Sequence, residues 1–157
     1  MAKTEMMGFE KDKRIRREFN NVRVRDFGYN FRSKFEHRWA QYLNLLQEQG
    51  HIRDWFYESI KFYFPGETTA PIQYTPDFEI HEQPDGLVVF QECKGYHDGQ
   101  TNTKLRRMAK HHPDIVMELV LMRIPKRSGK GANRRRVAAK YTRRVIDGGK
   151  ILRQCGL

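Results

Sequence analysis

The most regular pattern of apolar and polar positions lies between residues 34 and 49, where apolar side chains recur every three or four residues. That spacing places them on one face of an α-helix. Ser33 and Glu36 form the Ser-x-x-Glu pattern of a capping box, and Gly50 suits the left-handed position that ends many helices. We therefore predict a helix over 34–49 with this apolar face: Phe35, Trp39, Tyr42, Leu43 and Leu46.

Short runs rich in β-branched and aromatic residues follow this helix and predict strands. Two segments with turn-forming residues, PGETTAP and QPDG, separate the runs. We expect the last two runs, which QPDG connects, to form a hairpin. The four predicted strands are 52–57, 60–64, 72–80 and 87–94.

The second half of the chain alternates between helical and apolar segments. We predict a helix over 101–112, a buried strand over 115–124 and a basic helix over 133–147 that Gly148 and Gly149 end. Antiparallel strands followed by a helix and one more strand imply a mixed sheet. The predicted fold class is therefore α/β, with a mixed central sheet flanked by helices.

Basic residues concentrate at the two ends of the 157-residue chain, whose net charge is +11. Residues 1–32 carry nine Lys/Arg against five Asp/Glu, and residues 123–157 carry twelve against one. Residues 33–122 carry nine against thirteen. Basic ends of this density favour a polyanion such as nucleic acid, because each neutralised phosphate releases counterions. A solubilising tail is the alternative for either end alone.

The length suits one domain with extensions. We divide the chain into a basic N-terminal arm (1–30), a core (31–125) and a basic C-terminal extension (126–157). No apolar run is long enough to cross a bilayer, and the first residues lack a signal-peptide core. Cys93 and Cys155 form neither a disulfide framework nor a metal-ligand spacing. We expect an intracellular protein in a reducing compartment, without a membrane partner.

Candidate catalytic residues lie in the stretch YTPDFEIHEQPDGLVVFQECKG. Asp77 follows a proline at the head of one predicted strand, and Glu92 and Lys94 lie on the next. Because side chains alternate along a strand, Glu92 and Lys94 are predicted to share one face, while Cys93 points to the other. A hairpin would bring Asp77 beside that pair. The result is two carboxylates and an ammonium on one sheet face.

This set of side chains suits the hydrolysis of phosphodiester bonds. Asp77 and Glu92 would hold Mg²⁺, or Mn²⁺ in its place, through oxygen, and the Cys93 backbone carbonyl would complete the metal shell. Lys94 would position the attacking water or stabilise charge on the phosphate. Taken singly, a Pro-Asp turn and an acid-x-Lys ion pair are common structural features. Their order and apolar context favour a metal site, because a buried charge needs a partner.

Four segments of the chain resemble the PD-(D/E)xK nuclease superfamily: RSKFEHRWAQYL, YTPDFEI, VVFQECKG and KHHPDIVMELVLM. Within it, the chain is most similar to the phage endonuclease I group of Holliday-junction-resolving enzymes, over about residues 31–123. The resemblance implies a restriction-endonuclease-like core and a Mg²⁺-dependent DNA endonuclease that selects branched DNA. It further implies a homodimer that acts in DNA recombination, in the cytoplasm of the host cell.

The resemblance also implies roles for individual residues. Asp77 and Glu92 match the metal-binding acids of the family, and Lys94 matches its catalytic lysine. Glu36 matches an additional acid that the first helix supplies to the metal site. The capping-box pattern gives Glu36 a structural explanation as well, so it has either both roles or only the structural one.

Basic side chains near this core and on the C-terminal extension are expected to contact DNA phosphates without reading sequence. A solvated surface is the usual alternative for such a charge run. The residues to which we assign phosphate contacts are Arg32, Lys34, Lys104, Arg106, Arg107, Lys110, Arg134, Arg135, Arg136, Lys140, Arg143 and Arg144.

Two alternative functions stay open at this point. A restriction-type or transposon-end endonuclease, resembling the TnsA group, would use the same chemistry with a different specificity. A non-catalytic nucleic-acid-binding protein would use the acids only for structure. Metal dependence separates the non-catalytic protein from both enzymes, and cleavage of a four-way junction compared with a linear duplex separates the enzymes from each other.

Overall fold

The computed structural model of this protein describes residues 22–157, and its first elements form a small antiparallel hairpin. Strand β1 (Val24–Asp26) pairs with strand β2 (Tyr29–Phe31), and both contact the first helix. Residues 22–30 of the predicted N-terminal arm therefore pack against the core. Residues 1–21 of that arm lie outside the described residues.

The remaining elements alternate between helices and strands. After the hairpin they follow in this order: helix α1 (Lys34–Glu48), strands β3 (Ile52–Tyr57), β4 (Phe62–Tyr63), β5 (Gln73–Tyr74), β6 (Phe78–Glu82) and β7 (Val88–Lys94), helix α2 (Gly99–His111), strand β8 (Val116–Leu121), helix α3 (Lys130–Ala139), strand β9 (Val145–Asp147) and helix α4 (Gly148–Gln154). In the described part of the chain, none of these helices is long and apolar enough to cross a membrane.

Five of the strands form a mixed central sheet in the order β3-β6-β7-β8-β9. Strand β6 is antiparallel to both of its neighbours, β3 and β7, whereas β7, β8 and β9 run parallel to one another. The β6–β7 hairpin sets Phe78 opposite Gln91. The predicted α/β class, the mixed sheet and this hairpin are thereby confirmed.

Alternating side chains of the sheet divide between two hydrophobic cores, one on each face. One core contains Trp39 of α1, Cys93 of β7 and Leu152 of α4. The other contains Phe90 of β7 and apolar side chains of α2 and α3. Burial of a side chain such as Leu152 contributes about 1.5–3 kcal/mol. Helices therefore flank the sheet on both faces, as predicted.

Several predicted elements differ from the observed ones in their bounds. The prediction of one strand over 72–80 is wrong, because Pro76 has no N–H to donate and separates β5 from β6. The strand predicted over 60–64 is shortened to the two residues of β4. Helix α2 begins earlier than expected, since the Asp98 side chain caps it by accepting a hydrogen bond from the Thr101 N–H at 2.9 Å.

Residues 126–157 complete the central sheet. The prediction of one basic helix over 133–147 is wrong, because α3 ends at Ala139 and the chain then forms β9 beside β8. The glycines expected to end that helix instead begin α4. A Cβ on Gly149 would lie 1.9 Å from the Met122 carbonyl oxygen, so glycine alone permits this close approach of α4 to the sheet.

Candidate active site

The four residues predicted as catalytic line one cleft beside the carboxyl end of β7, with a volume of about 350 Å³. Glu36 comes from α1, Asp77 immediately precedes β6, and Glu92 and Lys94 come from β7. Elements that are distant in sequence therefore meet at one polar cleft. The other residues that line it are Arg32, Lys61, Gln73, Tyr74, Thr75 and Lys104.

Asp77 is buried and is held between β3 and β7. Its Oδ2 accepts a hydrogen bond from the Cys93 N–H at 2.7 Å, and its main-chain carbonyl accepts one from the Glu58 N–H at 2.9 Å. The β6–β7 register, continued by two residues, sets Cys93 opposite Pro76, which has no N–H to donate. Pro76 therefore donates no hydrogen bond to the Cys93 carbonyl.

Glu92 is the most deeply buried acid of the cleft, at 2% exposure. The Tyr74 hydroxyl donates to its Oε2 at 2.7 Å, and the Lys94 ammonium lies 2.8 Å from its Oε1. The Lys104 ammonium lies 3.7 Å from the same oxygen. Burial alone would lower the pKa of Lys94, but the carboxylates of Glu92, Asp77 and Asp98 together outweigh burial and raise that pKa above its ordinary value. Lys94 is therefore a stable cation beside the acids.

Glu36 links the first turn of α1 to the cleft. Its N–H donates to the Ser33 Oγ at 3.1 Å, which caps the helix, and its Oε1 accepts from the Ser33 hydroxyl at 3.0 Å. Its Oε2 accepts from the Tyr57 hydroxyl at 2.6 Å and from the Arg32 N–H at 3.0 Å. The capping pattern is therefore present, although the Glu36 carboxylate bonds the Arg32 N–H rather than the Ser33 N–H. The same carboxylate faces the cleft.

The carboxylates of the cleft repel one another. Burial places the pKa of Asp77 well above its ordinary value, and the Glu92 and Glu36 carboxylates raise it further. Burial, Glu92 and Asp77 also raise the pKa of Tyr74, so that its hydroxyl stays protonated and donates to Glu92. An added positive charge would offset this repulsion, because an opposite charge favours the ionised form of a carboxyl group.

The oxygen donors of the cleft fit a hard divalent cation. Asp77 uses Oδ2 for the Cys93 N–H, Glu92 lines the same cleft, and Cys93 lines the adjacent cavity. Carboxylate and carbonyl oxygens are donors that Mg²⁺ and Mn²⁺ accept. Within residues 22–157, no three His, Cys, Asp or Glu side chains are arranged to hold an ion as they stand. The fit therefore rests on the carboxylates of Asp77 and Glu92, with that of Glu36 in the same cleft.

Most of the basic residues predicted to contact phosphate lie at or near the cleft or on the helices of one sheet face. Arg32 and Lys104 line the cleft, Lys34 lines the cavity next to it, and Arg134 lies against Tyr96. The remaining ones lie on α2, on α3 or just beyond it: Arg106, Lys110, Arg135, Arg136 and Lys140.

Arg107 lies on α2, as predicted, but its side chain is not on the solvated face of that helix. Its side chain is buried and donates to the carbonyls of Thr69 and Pro71, the former at 2.7 Å. It also forms an ion pair with Glu67 at 3.2 Å. The guanidinium of Arg107 therefore holds the loop between β4 and β5, and its contact with DNA stays a prediction.

Arg143 and Arg144 compensate a buried charge on the opposite face of the sheet. The Glu118 carboxylate is fully buried and lies 2.6 Å from each guanidinium. Glu118 also accepts from the Gln91 amide at 2.7 Å, and Gln91 accepts from the Trp39 indole N–H of α1. A buried carboxylate without such partners would be strongly destabilising. The prediction that these two arginines lie on a helix is therefore wrong, because α3 ends at Ala139, whereas their contact with DNA phosphates stays a prediction.

The sequence pattern did not mark Tyr57 and Tyr74, whose hydroxyls hold Glu36 and Glu92. Each tyrosine is about twenty residues from the acid it contacts, so no local spacing reveals the pair. The one available signal was the position of Tyr74 in the segment YTPD, three residues before Asp77.

The comparisons with known proteins identify a family without a described function. Residues 16–129 match the family described as "Protein of unknown function (DUF1064)". No curated protein and no solved structure matches the chain. The match includes every residue that lines the cleft, from Arg32 to Lys104. Because it covers well over half of its length, the chain belongs to the DUF1064 family of proteins of unknown function.

Proposed function

We propose that this protein is a divalent-metal-dependent DNA endonuclease that hydrolyses phosphodiester bonds. The observation that carries the proposal is the convergence of Glu36, Asp77, Glu92 and Lys94 in one cleft. A surface ion pair does not account for Asp77 and Glu92, which are 6% and 2% exposed, because buried carboxylates that repel each other are costly. A restriction-endonuclease-like core, with its mixed sheet and β-hairpin, is part of the same proposal.

The metal would be Mg²⁺, with Mn²⁺ as a substitute, held by Asp77, Glu92 and the Cys93 carbonyl. When bound, the ion would supply Lewis-acid stabilisation of the phosphate and a lower pKa for water. The protein prepares the ligands for this task, since the Cys93 N–H fixes one oxygen of Asp77 and the Tyr74 hydroxyl fixes one oxygen of Glu92. Glu36 adds negative charge at the edge of the same site and strengthens its attraction for a cation.

Lys94 contributes a fixed positive charge beside the acids. Because Glu92 raises its pKa, the ammonium keeps its proton and is not a general base at neutral pH. It instead stabilises the negative charge that develops on the phosphate and donates a hydrogen bond to the attacking water. Arg32, Lys61 and Lys104 line the same cleft and bind the neighbouring phosphates of the strand.

Selectivity for branched DNA, and action as a homodimer, are proposed from the resemblance to the phage endonuclease I group. Cleavage of a four-way junction, compared with a linear duplex of the same sequence, tests this selectivity. Preferential cutting of the junction is the expected result. Equal cutting of both would favour the restriction-type or transposon-end alternative.

The experiment that tests the proposed chemistry is Mg²⁺-dependent cleavage by the wild-type protein and by Asp77→Asn, Glu92→Gln and Lys94→Ala. Each substitution should lower the rate by at least about 100-fold, the loss typical when one preorganised charge is removed from an active site. Calorimetry with Mn²⁺ should show that Lys94→Ala still binds metal, whereas the two carboxylate variants bind it weakly.

Matched controls carry the same chemical changes outside the cleft. Glu48→Gln at the exposed end of α1 and Lys126→Ala beyond β8 should leave the rate unchanged. Retained Mg²⁺-dependent cutting by Glu92→Gln would reject this active site. Failure of the wild-type protein to cut any DNA with Mg²⁺ or Mn²⁺ would reject the endonuclease function itself.

A further inference from the structure

Two further cavities extend the cleft along the ends of β7 and β8. The first, of about 460 Å³, shares Glu36 and Lys94 with the cleft. The second, of about 610 Å³, shares Gly95, Tyr96 and Met122 with the first and extends to α3. Through these shared residues the three spaces adjoin one another from the carboxylates to α3, and we call them together the groove.

Tyr96 stands between the two outer cavities as an exposed aromatic ring. It is 65% exposed, although it lies only two residues beyond Lys94. The Arg134 guanidinium lies 5.8 Å from the ring centre and donates to the Tyr96 hydroxyl at 2.9 Å. Arg134 also donates to the His97 carbonyl at 3.3 Å, which fixes the guanidinium in turn. The ring is therefore held in place while much of its surface stays open to solvent.

The far end of the groove is positively charged. Arg123, Lys130 and Arg134 line the outermost cavity, and none of the described residues that line it is acidic. Lys34 and Lys94 line the middle cavity together with the acids Glu36 and Asp98. Cationic side chains that follow a groove, together with an exposed aromatic ring, form the combination that binds single-stranded nucleic acid. The cations contact the phosphates, and the ring stacks on a base.

An exposed ring in such a groove selects against fully paired DNA. Bases in a duplex already stack on each other and offer their faces to no side chain, whereas an unpaired base presents a free π-face. The Cα atoms of Lys94 and Tyr96 lie within about 7 Å of each other along the chain, the length of about two stacked nucleotide steps. A base stacked on Tyr96 would thus be close to the phosphate in the cleft.

We propose that Tyr96 and Arg134 form a stacking site for an unpaired nucleobase, with Lys34, Arg123 and Lys130 along the phosphates of the same strand. This inference rests on the proposed nuclease function and deepens it, because it names the substrate class. The substrate is DNA with an unpaired nucleotide next to the scissile phosphate, as at a flap, gap or branch point.

The test measures binding without divalent metal, so that no strand is cut. The probes are a single-stranded oligonucleotide that carries 2-aminopurine and the fully paired duplex of the same sequence. Tyr96→Ala should bind the single strand about 5- to 150-fold more weakly, the loss of one stacked base, while its duplex affinity stays within about twofold. Tyr96→Phe should bind like the wild type and should quench 2-aminopurine fluorescence equally well.

Two further variants separate stacking from general effects of the substitution. Tyr63→Ala removes another exposed tyrosine, on β4 outside the groove, and should leave both affinities unchanged. Tyr96→Leu keeps apolar volume without a ring and should behave like Tyr96→Ala. Circular dichroism confirms that each variant is folded.

Three outcomes would overturn the inference. The first is that Tyr96→Ala binds the single strand as tightly as the wild type does. The second is an equal loss for single strand and duplex, and the third is full binding by Tyr96→Leu. The binding readout needs no catalysis. If the protein shows the stacking effect but cuts no DNA, only the proposed endonuclease function is rejected. Normal cleavage without a stacking effect would reject only this inference.

Discussion

Replacing Asp77 by asparagine should stabilise the metal-free protein and weaken the dependence of its stability on pH and Mg²⁺. Burial and the neighbouring carboxylates raise the pKa of Asp77 well above its ordinary value of 3.8. Between about pH 4 and this raised pKa, Asp77 therefore keeps its proton in the folded state, whereas it has lost that proton in the unfolded chain. The free energy of unfolding should therefore fall as pH rises from about 4 through the raised pKa, by about 1.4 kcal/mol per pH unit. Asparagine does not ionise, so the Asp77→Asn variant should lack this contribution to the pH dependence of the free energy of unfolding.

The structure gives the size of the expected difference in thermal stability. Asparagine preserves the shape of the side chain and its acceptor for the Cys93 N–H, so the main change is the ionisation. In a protein of 157 residues, about 1 kcal/mol shifts Tm by about 2–4 °C. The difference in Tm between Asp77→Asn and the wild type should therefore increase by about 3–6 °C for each pH unit between about pH 4 and the raised pKa, with the variant more stable.

Thermal unfolding from pH 4 to 9 in EDTA is the assay, with Asp114→Asn at an exposed site as the matched control. The control should follow the wild type at every pH. Mg²⁺ at 100 times its Kd should then add about 2.7 kcal/mol to the stability of the wild type at pH 8. It should add much less to Asp77→Asn. Parallel Tm curves of the variant and the wild type, or equal stabilisation of both by Mg²⁺, would contradict this linkage.

Two substitutions test other features of the structure. Glu36→Gln should slow cleavage by about 10- to 100-fold with Tm unchanged within about 2 °C, because glutamine keeps the capping geometry and loses the charge. Normal turnover at saturating Mg²⁺ would leave Glu36 as a capping residue alone. Gly149→Ala should lower the stability by about 1–3 kcal/mol in thermal unfolding, since its Cβ would meet the Met122 carbonyl. Gly99→Ala, whose Cβ meets nothing within 4 Å, is its control, and an equal Tm for the two would contradict the close approach.

The candidate site was largely predictable because its geometry is local. Glu92 and Lys94 lie two residues apart on β7, and strand alternation alone places them on one face. Asp77 joins them through one hairpin, whose turn residues are visible in the sequence. Glu36 needed the resemblance as well, since nothing in its spacing relates α1 to the hairpin. The site residues whose orientation follows from such short-range rules were therefore predictable from the sequence.

The features that escaped prediction depend on packing between distant segments. The sequence pattern indicates that Arg107 is one more charge on an exposed helix face. In the structure, the loop between β4 and β5 covers its side chain. The sequence of the stretch that contains β9 predicts a basic helix, because Arg, Lys and Ala have high helix propensity. Pairing with β8 and the approach of Gly149 to Met122 override that propensity. Neither effect leaves a periodic signal in the sequence.

The position of β9 has a consequence for shortened forms of the protein. The family match ends at residue 129, yet β9 is the only neighbour of β8 on that side within the described residues. A chain cut at residue 129 would keep every acid of the cleft. It would leave β8 as an open edge strand and remove Leu152 from the core. Such edges pair with other chains, so the shortened protein should accumulate as insoluble aggregate although its catalytic residues are all present.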